Sequence, residues 1–85
     1  LVIFMNDNGG TAGVKVFNAG MRGSKGSAWI GGTRASSFWR WPGALQPASV
    51  RALAAHIDFF PTLAELAGAK LSPGVRQQVE GRSLV

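Results

Sequence analysis

Four clusters of residues carry side chains and spacings able to do chemistry. In Asn6-Asp7-Asn8-Gly9-Gly10 a carboxylate stands beside an amide carbonyl. Both are hard oxygen donors of the kind Ca2+ and Mg2+ take. A turn can aim two adjacent side chains to one side, where an extended strand cannot. Asp, Asn and Gly are equally the commonest turn residues, so the pentapeptide taken alone reads as a turn. In Gly20-Met21-Arg22-Gly23-Ser24-Lys25-Gly26-Ser27, glycines flank two cations. Exposed N–H groups and a mobile positive head suit an anion. It is not a P-loop, because Gly26 follows Lys25 where that spacing needs Ser or Thr; in isolation it reads as a solvated loop. His56-x-Asp58-x-x-Pro61-Thr62 offers two polar groups, but no Ser or Glu at triad spacing joins them. Helix capping by Asp58, with His56 bonded locally, accounts for that pattern. Trp29, Phe38, Trp39 and Trp41, interleaved with Arg34 and Arg40, could stack bases. Without an aromatic–basic ladder they read as strand core with arginine stems laid along it.

The elements that must position these groups follow from hydrophobic pattern and turn chemistry. Leu1 to Met5 is a continuous apolar run of β-formers ended by the Asn-Asp-Asn-Gly-Gly loop. It reads as a short strand buried on both faces, as in a parallel sheet. In open α/β sheets, ligands bind at such C-terminal strand ends. Residues 14–17 are too short to assign, and residues 18–26 read as a glycine-rich loop. Ala28-Trp29-Ile30 reads as a short strand, as does Ser37 to Trp41, which Pro42-Gly43 terminates. Residues 50–57 fit strand or helix equally. Asp58 then stands as an N-cap with Pro61 in the first turn. Phe59, Leu63 and Leu66 mark one helical stripe, and Gly68 supplies the stop. A helix over about 59–67 and a helical turn over 75–79 are expected.

Bulk composition narrows the class. The chain has 85 residues, 46% of them hydrophobic and 15% charged, which is a globular rather than a disordered balance. At this length there is one small domain at most, with a marginal core. Both termini fall in apolar stretches, so truncation at both ends is expected. The net charge of +5 comes from nine Lys and Arg against four Asp and Glu, scattered without a basic run. That scatter argues against nucleic acid as a partner. There is no cysteine, hence no disulfide, thiolate metal site or Cys nucleophile within these residues. No stretch approaches the ~18 apolar residues of a membrane span, so no membrane partner is expected.

Taken in order, the motifs mean more than each does alone. A strand ending in Asp-Asn-Gly-Gly is followed by Met21-Arg22-Gly-Ser-Lys25-Gly-Ser, Trp29-Ile-Gly-Gly-Thr-Arg34 and Arg40-Trp41-Pro42-Gly43. Then come His56-Ile-Asp58-Phe-Phe-Pro61-Thr62-Leu-Ala-Glu-Leu-Ala-Gly68 and Glu80-Gly81-Arg82-Ser83-Leu84. The whole series closely resembles the sulfatase family, arylsulfatase-like enzymes of the alkaline-phosphatase-like superfamily. The resemblance implies an α/β fold, with residues 1–85 a fragment of an alkaline-phosphatase-like α/β sandwich. That fragment is the C-terminal part of a catalytic domain: a strand, the active-site loop, short strands and one flanking helix.

The resemblance also implies a chemistry. Sulfatases hydrolyse sulfate esters with a formylglycine nucleophile made from the Cys or Ser of a C/S-x-P-x-R motif, which lies N-terminal to the region matched here. A divalent cation, Ca2+ or Mg2+, is held by Asp residues of an early strand together with the pair that Asp7 and Asn8 match. Lys25 matches the lysine of the family's Gly-Lys-Gly segment, which contacts the substrate sulfate. The implied partner is a sulfate-ester small molecule or glycan. Two positions depart from the family pattern. Ile30 stands where a Glu usually precedes the Gly-Gly pair, and Ala35-Ser36-Ser37 stands where a Pro is usual.

No serine here sits in the x-P-x-R context, and the other Asp ligands and the catalytic His of the family are also missing. The 85 residues alone are therefore expected to be inactive and, with exposed sheet edges, to form an oligomer. Two other readings stay open: a phosphonate or phosphate ester hydrolase of the same superfamily, and a non-catalytic basic binding module. The compartment is open too, since family members are lysosomal, extracellular, periplasmic or cytosolic.

Overall fold

Val2-Ile3-Phe4-Met5 forms a strand because its residues favour extended backbone and a partner lies in register. The computed structural model describes all of Leu1–Val85 and pairs this strand, β1 (Val2–Met5), with β2 (Ser37–Arg40). The pairing is antiparallel, with Val2 opposite Arg40, Ile3 opposite Trp39, Phe4 opposite Phe38 and Met5 opposite Ser37. Period-two alternation puts Phe4 and Phe38 on one face, their ring centroids 6.4 Å apart, and the half-buried Ile3 and Trp39 on the other. The expected doubly buried parallel strand is thus corrected. The sheet has two strands, and without a second layer over its faces Phe4 and Phe38 remain 67% and 65% exposed.

Between the strands, a 3-10 turn spans Ala12–Lys15 and a single helical turn, α1, spans Ile30–Thr33. The strand expected at Ala28-Trp29-Ile30 is not formed. Trp29 is instead the extended residue before α1, and its carbonyl accepts hydrogen bonds from Gly32 N and Thr33 N at 2.7 and 3.1 Å. The β propensity of Trp and Ile yields there to the two glycines that follow, which let the turn close against neighbouring backbone.

Residues 50–55 adopt no regular element, and a 3-10 turn at His56–Asp58 leads into α2 (Phe59–Leu66), close to the expected bounds. Gly68, at φ 64°, ends it as expected. Gly68 N bonds Glu65 O and Ala69 N bonds Ala64 O, both at 2.9 Å, the paired closure of a Schellman motif. A third helix, α3 (Pro73–Gln78), starts on Ser72, whose hydroxyl accepts from Val75 N, with Pro73 in its first turn. The apolar stripe of α2 is not its buried side: Leu63 and Leu66 are 41% and 36% exposed, whereas Thr62 is 2% exposed.

The chain divides into two compact units, Leu1–Ala48 and Ser49–Val85. Its five buried residues are Gly9, Gly31 and Gly32 in the first, and Asp58 and Thr62 in the second. No hydrophobic side chain is buried. What holds each unit locally is therefore backbone and polar contact rather than an apolar core. No helix is long and apolar enough to cross a membrane.

Candidate functional site

The loop after β1 is built by backbone stitching. Asn6 N extends the ladder by one bond to Ser36 O (3.1 Å), and Gly9 N then bonds Gly32 O (2.9 Å). Gly9 is buried against the first turn of α1, and a Cβ there would run into Gly31 O. Only glycine lets these two backbones lie this close. Gly31 N in turn bonds Arg22 O, and Lys25 N bonds Gly10 O, both at 2.8 Å. Three segments distant in sequence, 6–10, 22–25 and 31–32, are thus tied together through main-chain groups.

This stitching brings together the sequence-predicted residues of the first unit. Lys25 is bonded through its backbone to the residue two places after Asn8. The side chains themselves are left unused by the fold. Asp7 is exposed, and its carboxylate accepts no hydrogen bond from the chain; Lys25 is exposed, and its ammonium donates none. Asn8 is half-buried and gives an amide hydrogen to Gly9 O (2.8 Å), leaving its Oδ1 without an internal donor.

A carboxylate and an amide oxygen at the end of a strand fit a hard divalent cation in kind. They do not fit it in number. Ca2+ takes roughly six to eight oxygens, and no group of three or more His, Cys, Asp or Glu comes together in this chain.

The loop that carries Lys25 is braced from within. Asn18 donates one amide hydrogen to Met21 O and the other to Gly23 O, each at 2.8 Å. Ser27 Oγ donates to Ser24 O (2.7 Å) and accepts from Ser24 N (3.2 Å), closing the turn that contains Lys25. The Arg22 guanidinium lies 3.5 Å from the centroid of the Trp29 ring, a cation–π contact. Sequence reasoning singled out neither Asn18 nor the Arg22–Trp29 pair. The available signal was the Asn-x-x-Met-x-Gly spacing of a side-chain-braced turn.

The His56–Thr62 cluster has a different fate. Asp58 does not cap α2 with its side chain; this corrects the expected role. Its carboxylate accepts from Ala55 N (2.8 Å) and Arg82 N (2.9 Å), while Thr62 Oγ1 donates to Asp58 O (2.5 Å) and accepts from Leu84 N (3.0 Å). Arg82 also donates from Nη2 to Leu53 O (2.8 Å). The backbone N–H of Arg82, then that of Ala55, hold the Asp58 carboxyl below the usual carboxylate range, against the opposing effect of burial. Asp58 and Thr62 are thus a clasp on the 82–84 segment, with both oxygens of the Asp58 carboxylate already accepting a backbone N–H. A groove in the same unit, lined by Ile57, Phe60, Val75, Gln78, Val79 and Glu80, holds no cluster of chemically active groups.

Comparison with known proteins bears on these residues together. The family model described as Sulfatase matches residues 1–69. A sulfatase of Formosa agariphila is 43% identical over 86 residues, covering 99% of this chain and 15% of the relative. The steryl-sulfatase of Mus musculus is 42% identical over 94 residues, covering 100% of this chain and 15% of the relative. The arylsulfatase A of Homo sapiens is 40% identical over 75 residues, covering 84% of this chain and 15% of the relative. The chain therefore spans about 15% of the length of these curated relatives. No solved structure matches it.

Proposed function

The chain belongs to the sulfatase family, and on that premise we propose that it is the segment of a sulfate-ester hydrolase that supplies two metal ligands, Asp7 and Asn8, and a sulfate contact, Lys25. The observation that carries the reading is the Lys25 N to Gly10 O bond. It ties the cationic loop to the Asp7-Asn8 loop, while the three side chains spend almost none of their bonding capacity on the fold.

The division of labour follows from charge. A sulfate ester brings an anion to the site, and charge builds on the transferred group and the leaving oxygen as the ester bond breaks. The Lys25 ammonium would meet the sulfate oxygens and neutralise that charge from one side. The Asp7 carboxylate and the Asn8 amide oxygen would hold and orient a divalent cation. Such a cation, Ca2+ or Mg2+, supplies Lewis-acid neutralisation of the same group. The formylglycine nucleophile and the remaining metal ligands are not among these residues. Covalent catalysis therefore needs the rest of a sulfatase domain, of which residues 1–85 form a part.

Two assays test this. The purified 85-residue chain is expected to leave 4-methylumbelliferyl sulfate unhydrolysed and to bind Ca2+ only weakly by calorimetry, two ligands being too few. The complete enzyme is expected to hydrolyse that sulfate, to lose activity to a chelator and to regain it with Ca2+ or Mg2+. Turnover by the isolated chain would overturn the division of labour. Preference of the complete enzyme for a phosphate or phosphonate ester would move the reading to that class of the superfamily.

A further inference from the structure

The segment from Asn18 to Ser27 carries Lys25 on backbone that belongs to no helix or strand. Its path passes through left-handed conformations at Ala19 (φ 48°), Gly20, Gly23 and Gly26, so neighbour-to-neighbour regularity does not hold it in place. Specific bonds must do so. Arg22 O and Lys25 N are tied to other segments by backbone. The two carbonyls on either side of Arg22, those of Met21 and Gly23, are both held by one side chain, Asn18.

The chemistry of that side chain is specific. A primary amide offers two hydrogens on one neutral nitrogen; a hydroxyl offers one, and a carboxylate offers none. The Asn18 amide is half-buried and wedged against α1, since a Cβ added at Gly31 would come within 2.8 Å of Asn18 Nδ2. The same nitrogen thus sits where the Lys25 loop, α1 and its own turn converge.

We propose that Asn18 is a positioning residue for Lys25. Its two-armed amide fixes the carbonyls of Met21 and Gly23, and with them the direction in which the loop presents the Lys25 ammonium. This rests on the reading of Lys25 as the sulfate contact. A misplacement of about 1 Å at such a contact costs on the order of 100-fold in rate.

The test is a double-mutant cycle in the complete enzyme, with kcat and KM measured on an aryl sulfate for N18A, K25A and N18A/K25A. Amide hydrogen exchange at residues 21–25 is followed in parallel. The expected result is a loss in kcat/KM of about 10-fold to 100-fold for N18A, and no further loss when N18A is added to K25A. Exchange at Ser24 and Lys25 is expected to speed up while β1 and β2 stay protected. N18D, which sets a carboxylate against two carbonyl oxygens, is expected to be at least as damaging. Should N18A not fold, N18S retains one donor and takes its place in the cycle. Losses that simply multiply, or an unchanged kcat/KM for the Asn18 variant, would overturn the positioning role. Unchanged exchange would overturn the brace itself. A fully active K25A would instead sink the underlying reading of Lys25, whatever the exchange shows.

Discussion

Asp7 and Asp58 are the two aspartates of the chain, and they sit in opposite circumstances. Asp58 is 6% exposed, and each of its carboxylate oxygens accepts a backbone N–H, from Arg82 and from Ala55. Asp7 is exposed and accepts nothing from its own chain. The same contrast runs through the two units. The first is tied by main-chain bonds through Gly9, Gly10, Gly31 and Gly32 with the Asn18 amide as a brace, and it leaves the Asp7 and Lys25 side chains free. The second uses a carboxylate and a hydroxyl to satisfy main-chain N–H groups. A polar residue whose capacity is spent inside the fold is structural, and one whose capacity is unspent is available to a ligand.

Substitution can break that comparison. On the roles proposed for them, Asp7→Ala and Lys25→Ala, made in the complete sulfatase domain, are each expected to lower kcat/KM on the order of 100-fold to 1,000-fold. Neither is expected to shift the urea midpoint measured in the presence of a chelator, because the metal-free fold uses neither side chain. A fall in the midpoint would place Asp7 in the same class as Asp58. Gly9→Ala is expected to do the reverse. Its methyl group runs into Gly31 O, where backbone rather than a flexible side chain must move, at a cost on the order of 3 kcal/mol read by urea denaturation.

Smaller effects sharpen the comparison in the second unit. Thr62→Val keeps shape but leaves Leu84 N without its acceptor, for a loss of about 1–2 kcal/mol measured the same way. The smallest effect is one of pH. Because the folded-state pKa of Asp58 is depressed, its stabilising contribution is complete above the unfolded Asp range near 3.8. It is lost as pH falls from there through the lower folded value. The protection of the Arg82 amide, its exchange rate compared with the intrinsic rate at the same pH, is therefore expected to fall on acidification below about pH 4, and Asp58→Asn is expected to remove that acid step. Protection of that amide that does not change with acid in the native chain would mean that the clasp holds without the charge.

What was readable in advance follows from how local each signal is. The α2 helix, its stop at Gly68 and the β2 strand before Pro42-Gly43 rest on neighbours within a few residues, and they stand close to where the pattern puts them. β1 is a strand, but its burial and its partner depend on what lies across from it. A run of apolar residues cannot tell a doubly covered parallel strand from an exposed antiparallel one. Asp58 preceding a helix has the composition of a cap. Its carboxylate is instead drawn to Arg82, 24 residues further on, a contact no local pattern contains.

The sequence by itself determined the residue types proposed to act, at Asp7, Asn8 and Lys25, and their order among motifs that mark the family. Those are properties of composition and spacing, and they survive any arrangement of the chain. Only the tertiary structure decided which polar groups are consumed. Hydrogen bonds are satisfied by whatever group lies within about 3 Å, and that distance is set by folding. Gly10 meeting Lys25 and Asn18 bracing the loop between them leave the Asp7 carboxylate, the Asn8 amide oxygen and the Lys25 ammonium unspent. Arg82 and Ala55 meeting Asp58 put both of its carboxylate oxygens to work inside the fold.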